Sequence, residues 1–163
     1  MVSGQKRNGW ELDRSPAAIP GRRPRALVLH GDPLALRVLR RSLEERSCTV
    51  VSAGDATSGL HLLLDELLDL DVLVTGLDLP HRDARSLAHL VRCAGGERDL
   101  AFVVVANGLA PELRAELFAL GVDAIADLRS GESAVAEAVL RAVAARRALS
   151  RADGFVGGAA SAA

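Results

Sequence analysis

The sequence is 163 residues long, with 49% apolar and 25% charged residues and a formal net charge of −1. That length favours a single domain, and the composition excludes a fibre or a disordered chain. No apolar run approaches the ~20 residues that span a bilayer, and no clustered basic face offers a footprint for nucleic acid, so neither is expected as a partner.

Residues 1–24 carry five basic and two acidic residues, with no hydrophobic period and no apolar core of a secretory signal. They read as a flexible tail in which Trp10 is incidental. Arg25-Ala-Leu-Val-Leu-His30 is short and continuously apolar, as expected of a strand buried on both faces. Asp32-Pro33 reads as an N-cap followed by proline at the first helical position. Leu36, Leu39 and Leu43 continue that helix inward, with Arg37, Arg40, Arg41, Glu44 and Glu45 facing out. Thr49–Ala53 is a second strand, and Asp55 caps a second helix whose Leu60, Leu63, Leu64, Leu67 and Leu68 form one buried stripe. Asp71–Thr75 is the third strand. Asp83 caps a third helix with Leu87, Leu90, Val91 and Ala94 inward.

Ala101–Val105 is the fourth strand. Pro111 opens a fourth helix, with Leu113, Leu117 and Leu120 inward and Gly121 in the capping position that ends it. Ala124–Asp127 is a short fifth strand. A fifth helix from about Ser133 to Ser150 buries Val135, Val139 and Val143, with Glu137 and Arg141 paired across one turn. Residues 151–163 are rich in Gly, Ala and Ser and read as a second flexible tail.

Five strand–helix units within residues 25–150 require a doubly wound parallel sheet, an α/β domain with right-handed crossovers. Ligands of such sheets bind at the carboxyl ends of the strands. Those ends are His30-Gly31-Asp32, Gly54-Asp55, Gly76-Leu77-Asp78, Ala106-Asn107 and Asp127-Leu128.

Four segments, Ala26–Arg37, Asp71–Pro80, Val103–Gly108 and Ala119–Ala124, together resemble the receiver domain of bacterial two-component response regulators, the single-domain chemotaxis type included. In order they are similar to that family's first strand with its acidic turn, its phosphoacceptor strand and proline loop, its fourth strand, and the small-residue turn before its fifth. The resemblance covers roughly Arg25 to Arg147 and implies a flavodoxin-like fold of five strands in the order 2-1-3-4-5 with five helices. It also implies a chemistry. The family accepts a phosphoryl group on an aspartate at the end of the third strand. An acidic pair after the first strand holds Mg²⁺, a hydroxyl follows the fourth strand and a lysine the fifth.

Carried over position by position, the acidic pair falls on His30 and Gly31, the acceptor on Gly76, the hydroxyl on Ala106 and the lysine on Leu128, followed by Arg129. The 20 basic side chains include one lysine, Lys6, which no shift of alignment brings into the domain. The resemblance therefore implies a degenerate phosphorylation pocket with no nucleophile, no metal and no cofactor.

The strand ends suggest two other uses. Asp32 and Asp78, with Asn107, form a residual polar site, and Asp78 is the one candidate for a displaced acceptor. Two residues of extended chain move a side chain by ~6.6 Å, too far for in-line phosphotransfer. His30, Asp32, Asp78, His81 and Asp83 could converge as zinc ligands, but their spacing matches no ligand pattern and Asp83 is explained as a cap. His61 and His89 fall on polar helix faces. Cys48 and Cys93 are too few for a disulfide scaffold and fit a cytoplasmic location.

Arg37, Arg40, Arg41, Arg141, Arg146 and Arg147 read as a solvated face, since residues 25–150 hold 14 basic against 18 acidic side chains. The fifth helix is rich in alanine (Ala134, Ala136, Ala138, Ala142, Ala144, Ala145, Ala148), which suits a flat contact face. The expectation is a non-enzymatic, stand-alone receiver protein in phosphorelay signalling. It binds a protein partner (a kinase, another regulator or a second copy as a homodimer) through its fourth helix, fifth strand and fifth helix. The alternatives are a small α/β ligand- or metal-binding protein or enzyme using the strand ends, and a receiver phosphorylated at Asp78.

Overall fold

Five strands of nearly uninterrupted apolar sequence pair into one parallel sheet, in a computed structural model that describes residues 22–66, 69–95 and 100–159. In chain order the elements are β1 (Arg25–Leu29), α1 (Pro33–Glu45), β2 (Thr49–Ala53), α2 (Ala56–Glu66), β3 (Val72–Gly76), β4 (Asp78–Leu79), β5 (Arg82–Asp83), α3 (Ala84–Gly95), β6 (Ala101–Ala106), α4 (Pro111–Ala119), β7 (Ala124–Asp127), a 3₁₀ turn (Leu128–Ser130) and α5 (Glu132–Ala159). The main sheet runs β2-β1-β3-β6-β7, the 2-1-3-4-5 order expected, with β6 and β7 as its fourth and fifth strands. Val74 of β3 sits opposite Val28 of β1 and Val103 of β6, which fixes the register of the three central strands.

Side chains alternate across these strands, and both faces are covered. Ala26, Val28, Val74 and Val103 pack beneath α1 and α5, against Leu39, Leu43, Val135, Val139 and Val143. Leu27, Leu29, Leu73 and Phe102 point the other way, into a layer formed by α2, α3 and α4 with Leu63, Leu87, Val91 and Leu117. α1 and α5 are also joined where buried Ser42 donates to the Glu132 carbonyl at 3.0 Å and Arg46 reaches Glu137 at 3.4 Å.

The helix starts follow the local sequence. Asp32 accepts from the Leu34 N–H at 2.9 Å, Asp55 from the Ser58 N–H at 2.8 Å and Asp83 from the Ser86 N–H at 2.9 Å. Each satisfies an N–H that has no partner within the helix. Gly121 takes φ 93° at the end of α4, a conformation that favours glycine.

Several expectations are corrected. The buried face of α2 is Ala56, Gly59 and Leu63, with Leu60 half-buried, whereas Leu64 is 62% exposed. Helix and sheet meet at Gly59, where a Cβ would lie 2.5 Å from Leu29 Cδ2, so the face is set by close approach rather than by leucine spacing. Leu67, Leu68 and Trp10 lie outside the described residues. Glu137 pairs with Arg46 across the α1–α5 seam and not with Arg141.

The alanines of α5 do not form one flat face: Ala136 and Ala142 are in the core, whereas Ala144, Ala145 and Ala148 are exposed. α5 continues to Ala159, through the start of the stretch read as a tail, because propagation adds a hydrogen bond per residue and no proline interrupts it. A two-stranded hairpin, β4–β5, was not anticipated. Pro80 and His81 form its turn, with His81 at φ 71°. Among the described residues no helix is long and apolar enough to cross a membrane.

Arg146 and Arg147, expected on a solvated face, instead turn inward at the amino ends of the strands. Asp123 accepts from Arg146 Nε at 2.8 Å, Arg92 Nη2 at 3.1 Å and the Phe102 N–H at 2.7 Å. Asp71 accepts from Arg147 Nη2 at 2.9 Å and the Arg25 N–H at 2.8 Å. Asp123→Asn keeps the volume but removes the charge that both arginines face. The expected loss is about 2 kcal/mol, the scale of hydrogen bonds to charged groups, read as a lower urea midpoint with unchanged slope. Gly59→Ala gains ~1 kcal/mol of helix propensity but forces Leu29 aside, an overpacking cost of about 1–3 kcal/mol, so its expected net effect is a lower midpoint.

Candidate functional site

The carboxyl ends of β1, β3, β6 and β7 surround a cleft of about 340 Å³. Its polar wall is His30, Asp32, Asp78 and Asn107, and its apolar wall includes Ala35, Leu77, Val105, Ala106, Leu109 and Leu128. Six of the residues singled out from the sequence are thus gathered at one place. Gly31 and Gly76 lie just behind them.

His30 immediately follows β1 and is half-buried. Its Nδ1 accepts from the Asp32 N–H at 3.0 Å, so the neutral ring carries its proton on Nε2. The ring lies across Gly76, the buried last residue of β3. A Cβ at position 76 would stand 3.0 Å from His30 Cδ2 and 3.2 Å from Nε2. Gly31 abuts the hairpin turn, where its own Cβ would meet Pro80 Cδ at 3.3 Å.

The carboxylates of the cleft have differing duties. Asp32 is exposed but caps α1. Asp78 leaves the main sheet with β4, pairs in register with Asp83 and is exposed at the cleft mouth. Asn107 is exposed beyond β6, and Ala106 is 8% exposed beneath it. Leu128 opens the 3₁₀ turn after β7 and is half-buried. His81 is exposed at the hairpin turn and Asp83 is occupied by Ser86, so the five-residue zinc set does not assemble. Among the described residues no three His, Cys, Asp or Glu side chains gather to hold a metal ion. His61 and His89 are exposed, the latter with Cys93 Sγ 3.7 Å from its Nε2. Cys48 is buried, and burial pushes its thiol above the usual range.

Sequence reasoning missed the role of Arg129. Its guanidinium forks onto Asp127, with Nη2 at 2.7 Å from Oδ2 and Nε at 3.1 Å from Oδ1, while its N–H donates to Oδ1 at 2.9 Å. These hydrogen bonds, side chain first, draw the Asp127 carboxyl down to about 2 and raise Arg129 above the ordinary arginine value. The guanidinium also covers Gly108, which has φ 60° and whose Cβ would fall 2.8 Å from Nη2. Arg129, which lies over the cleft-lining Gly108, is therefore tied to Asp127. An acidic residue two positions before an arginine, just after a strand, is the signal that would have found it.

No family model and no curated protein matches the sequence. Solved structures do match. A response regulator receiver domain from Clostridium thermocellum superposes with a TM-score of 0.67 at 16% identity, covering 77% of this chain and 98% of that one. The signal receiver domain of the response regulator NarL from Mycobacterium tuberculosis gives 0.67 at 23% identity, covering 74% and 96%. A sensor protein from Polaromonas sp. JS666 gives 0.67 at 27% identity, covering 77% and 99%. The chain has the flavodoxin-like receiver fold, and its cleft stands at the carboxyl ends of the strands.

The Asp127–Arg129 fork gives a pH-dependent prediction. A carboxyl held near 2 in the fold, against an ordinary value of 3.8, adds stability above about pH 4 and loses it as pH falls toward 2. Arg129→Ala is expected to return the Asp127 titration midpoint, followed by carboxyl-carbon NMR, toward the ordinary carboxylate range. A midpoint unmoved by that substitution would assign the shift to the backbone donors.

Proposed function

We propose that the chain is an atypical receiver protein acting in two-component signalling as a protein-interaction module that is not itself phosphorylated. The observation that carries this reading is the end of β3, where the position corresponding to the family's acceptor is Gly76, lying under the His30 ring. Phosphotransfer to protein needs a nucleophile, hard oxygen ligands for a divalent cation and donors for the phosphoryl oxygens. The corresponding positions carry an imidazole, two glycines, a methyl and an isobutyl group (His30, Gly31, Gly76, Ala106, Leu128). Arg129 does not replace the lysine, since its guanidinium is held by Asp127. Asp78 lines the cleft but stands two residues beyond Gly76, in β4 of the β4–β5 hairpin rather than in β3.

The partner in this reading is a kinase, another regulator or a second copy, met through α4, β7 and α5. Of these, α4 presents Phe118, 43% exposed, with the Arg114 guanidinium 5.8 Å from its ring centroid. Aromatic and arginine side chains are the types enriched at protein interfaces. A second reading, a small-molecule binder, is favoured by the gathering of His30, Asp32, Asp78 and Asn107 around the 340 Å³ cleft.

Incubation with acetyl phosphate and Mg²⁺ followed by intact mass spectrometry is expected to show no phosphoryl adduct. A base-labile adduct would overturn the proposal, and peptide mapping to Asp78 would establish the displaced acceptor. A melting temperature raised in a metabolite panel would favour the small-molecule reading, through mass action on the native state.

A further inference from the structure

We propose that His30 is a plug at the end of β3, whose anchored ring occupies the space into which a side chain at position 76 would project. The inference rests on the signalling reading for its meaning but on separate geometry for its support. Three ring atoms of His30, Cδ2, Nε2 and Cγ, would stand 3.0, 3.2 and 3.4 Å from a Cβ at position 76. These are atoms of a rigid plane rather than the free end of a flexible chain, so a Cβ at position 76 requires the ring as a whole to give by a few tenths of an ångström.

That ring is anchored. Its Nδ1 takes the Asp32 N–H at 3.0 Å, and Asp32 in turn takes the Leu34 N–H at 2.9 Å at the start of α1. On its other side Gly76 continues the backbone of β3, which pairs with β6 as Gly76 opposite Val105. The imidazole is therefore held between a helix cap and the end of a central strand, and neither support can shift without breaking hydrogen bonds. His30 and Gly76 form one complementary unit, since the ring fits because position 76 has no side chain. A carboxylate on β3 at this position would have to enter the space that the ring now occupies. The open volume is lined by His30 together with Asp78, Asn107 and Leu128.

The test is a double-mutant cycle on Gly76→Ala and His30→Ala in the full chain, with urea unfolding as readout. Gly76→Ala alone is expected to lower the urea midpoint, and in the His30→Ala background most of that loss is expected to disappear. The expected coupling is a roughly tenfold change in the unfolding equilibrium constant. Additive effects would overturn the plug. A second measurement needs no variant to fold. In the imidazole ¹H–¹⁵N spectrum of the unaltered chain, the His30 ring is expected as a single tautomer protonated at Nε2. A ring averaging between tautomers, or protonated at Nδ1 alone, would overturn the proposed anchoring. The two proposals fail separately. Labelling of the unaltered chain by acetyl phosphate sinks the signalling reading whatever the cycle gives, and an additive cycle removes the plug while leaving a chain that takes no phosphoryl group.

Discussion

The backbone of β3 lies between β1 and β6 with helices over both faces, so no side chain from Val72 to Thr75 reaches water. Everything else in the molecule is arranged around burying that ribbon. A strand covered on both sides is apolar at nearly every position, which accounts for the runs Ala-Leu-Val-Leu in β1 and Ala-Phe-Val-Val-Val-Ala in β6. The one buried hydroxyl of β3, on Thr75, donates to the Gly76 carbonyl at 3.0 Å. The same constraint favours the strand ends for function, because a polar group inside either layer has no water and needs a protein partner, as Ser42 and Thr75 have in backbone carbonyls.

The two ends of the sheet have opposite characters. At the amino ends, Asp71 and Asp123 are held by Arg147, Arg92 and Arg146 and by strand N–H groups, so α5 is tied to the sheet by ion pairs as well as by valines. At the carboxyl ends, the acidic side chains are used one loop at a time. Asp32 caps α1, Asp55 caps α2, Asp83 caps α3, and Asp127 holds Arg129. Carboxylates that are each given a local hydrogen-bonding duty do not converge on a shared ion. That division accounts for a cleft that contains acids yet assembles no metal site among the described residues.

What could be read from the sequence was whatever depends on near neighbours along the chain. Strands buried on both faces announce themselves as continuous apolar runs, and caps at Asp32, Asp55 and Asp83 are decided within three residues. Placement of the cleft followed from the same strand boundaries. The inward face of α2 could not be read, because leucines occur all round that helix and its orientation is set by Gly59 meeting Leu29 across the layer. Arg146 and Arg147 were placed on the surface for a similar reason: their partners lie 23 and 76 residues away in the chain. The contact between His30 and Gly76 belongs to the same class. Each residue alone reads as a lost functional group, and only their adjacency across two strands turns two losses into one packed feature.

A phosphate-accepting cleft carries a standing energetic burden. Several carboxylates must face one another before the cation arrives, and a lysine must be held beside them. Sites of that kind are maintained against stability rather than by it. In this chain the corresponding positions hold Gly76 beneath an imidazole, Ala106 at 8% exposure and a half-buried Leu128, groups that bury apolar surface instead of repelling one another. If the chain is the unphosphorylated receiver proposed above, the like-charge repulsion of such a cleft is absent along with the chemistry, and a ligand there would shift the loops only by its differential affinity for two arrangements. On that reading, control over the interaction would come from the amount of protein present or from the partner's own state, rather than from a charge arriving at the end of β3.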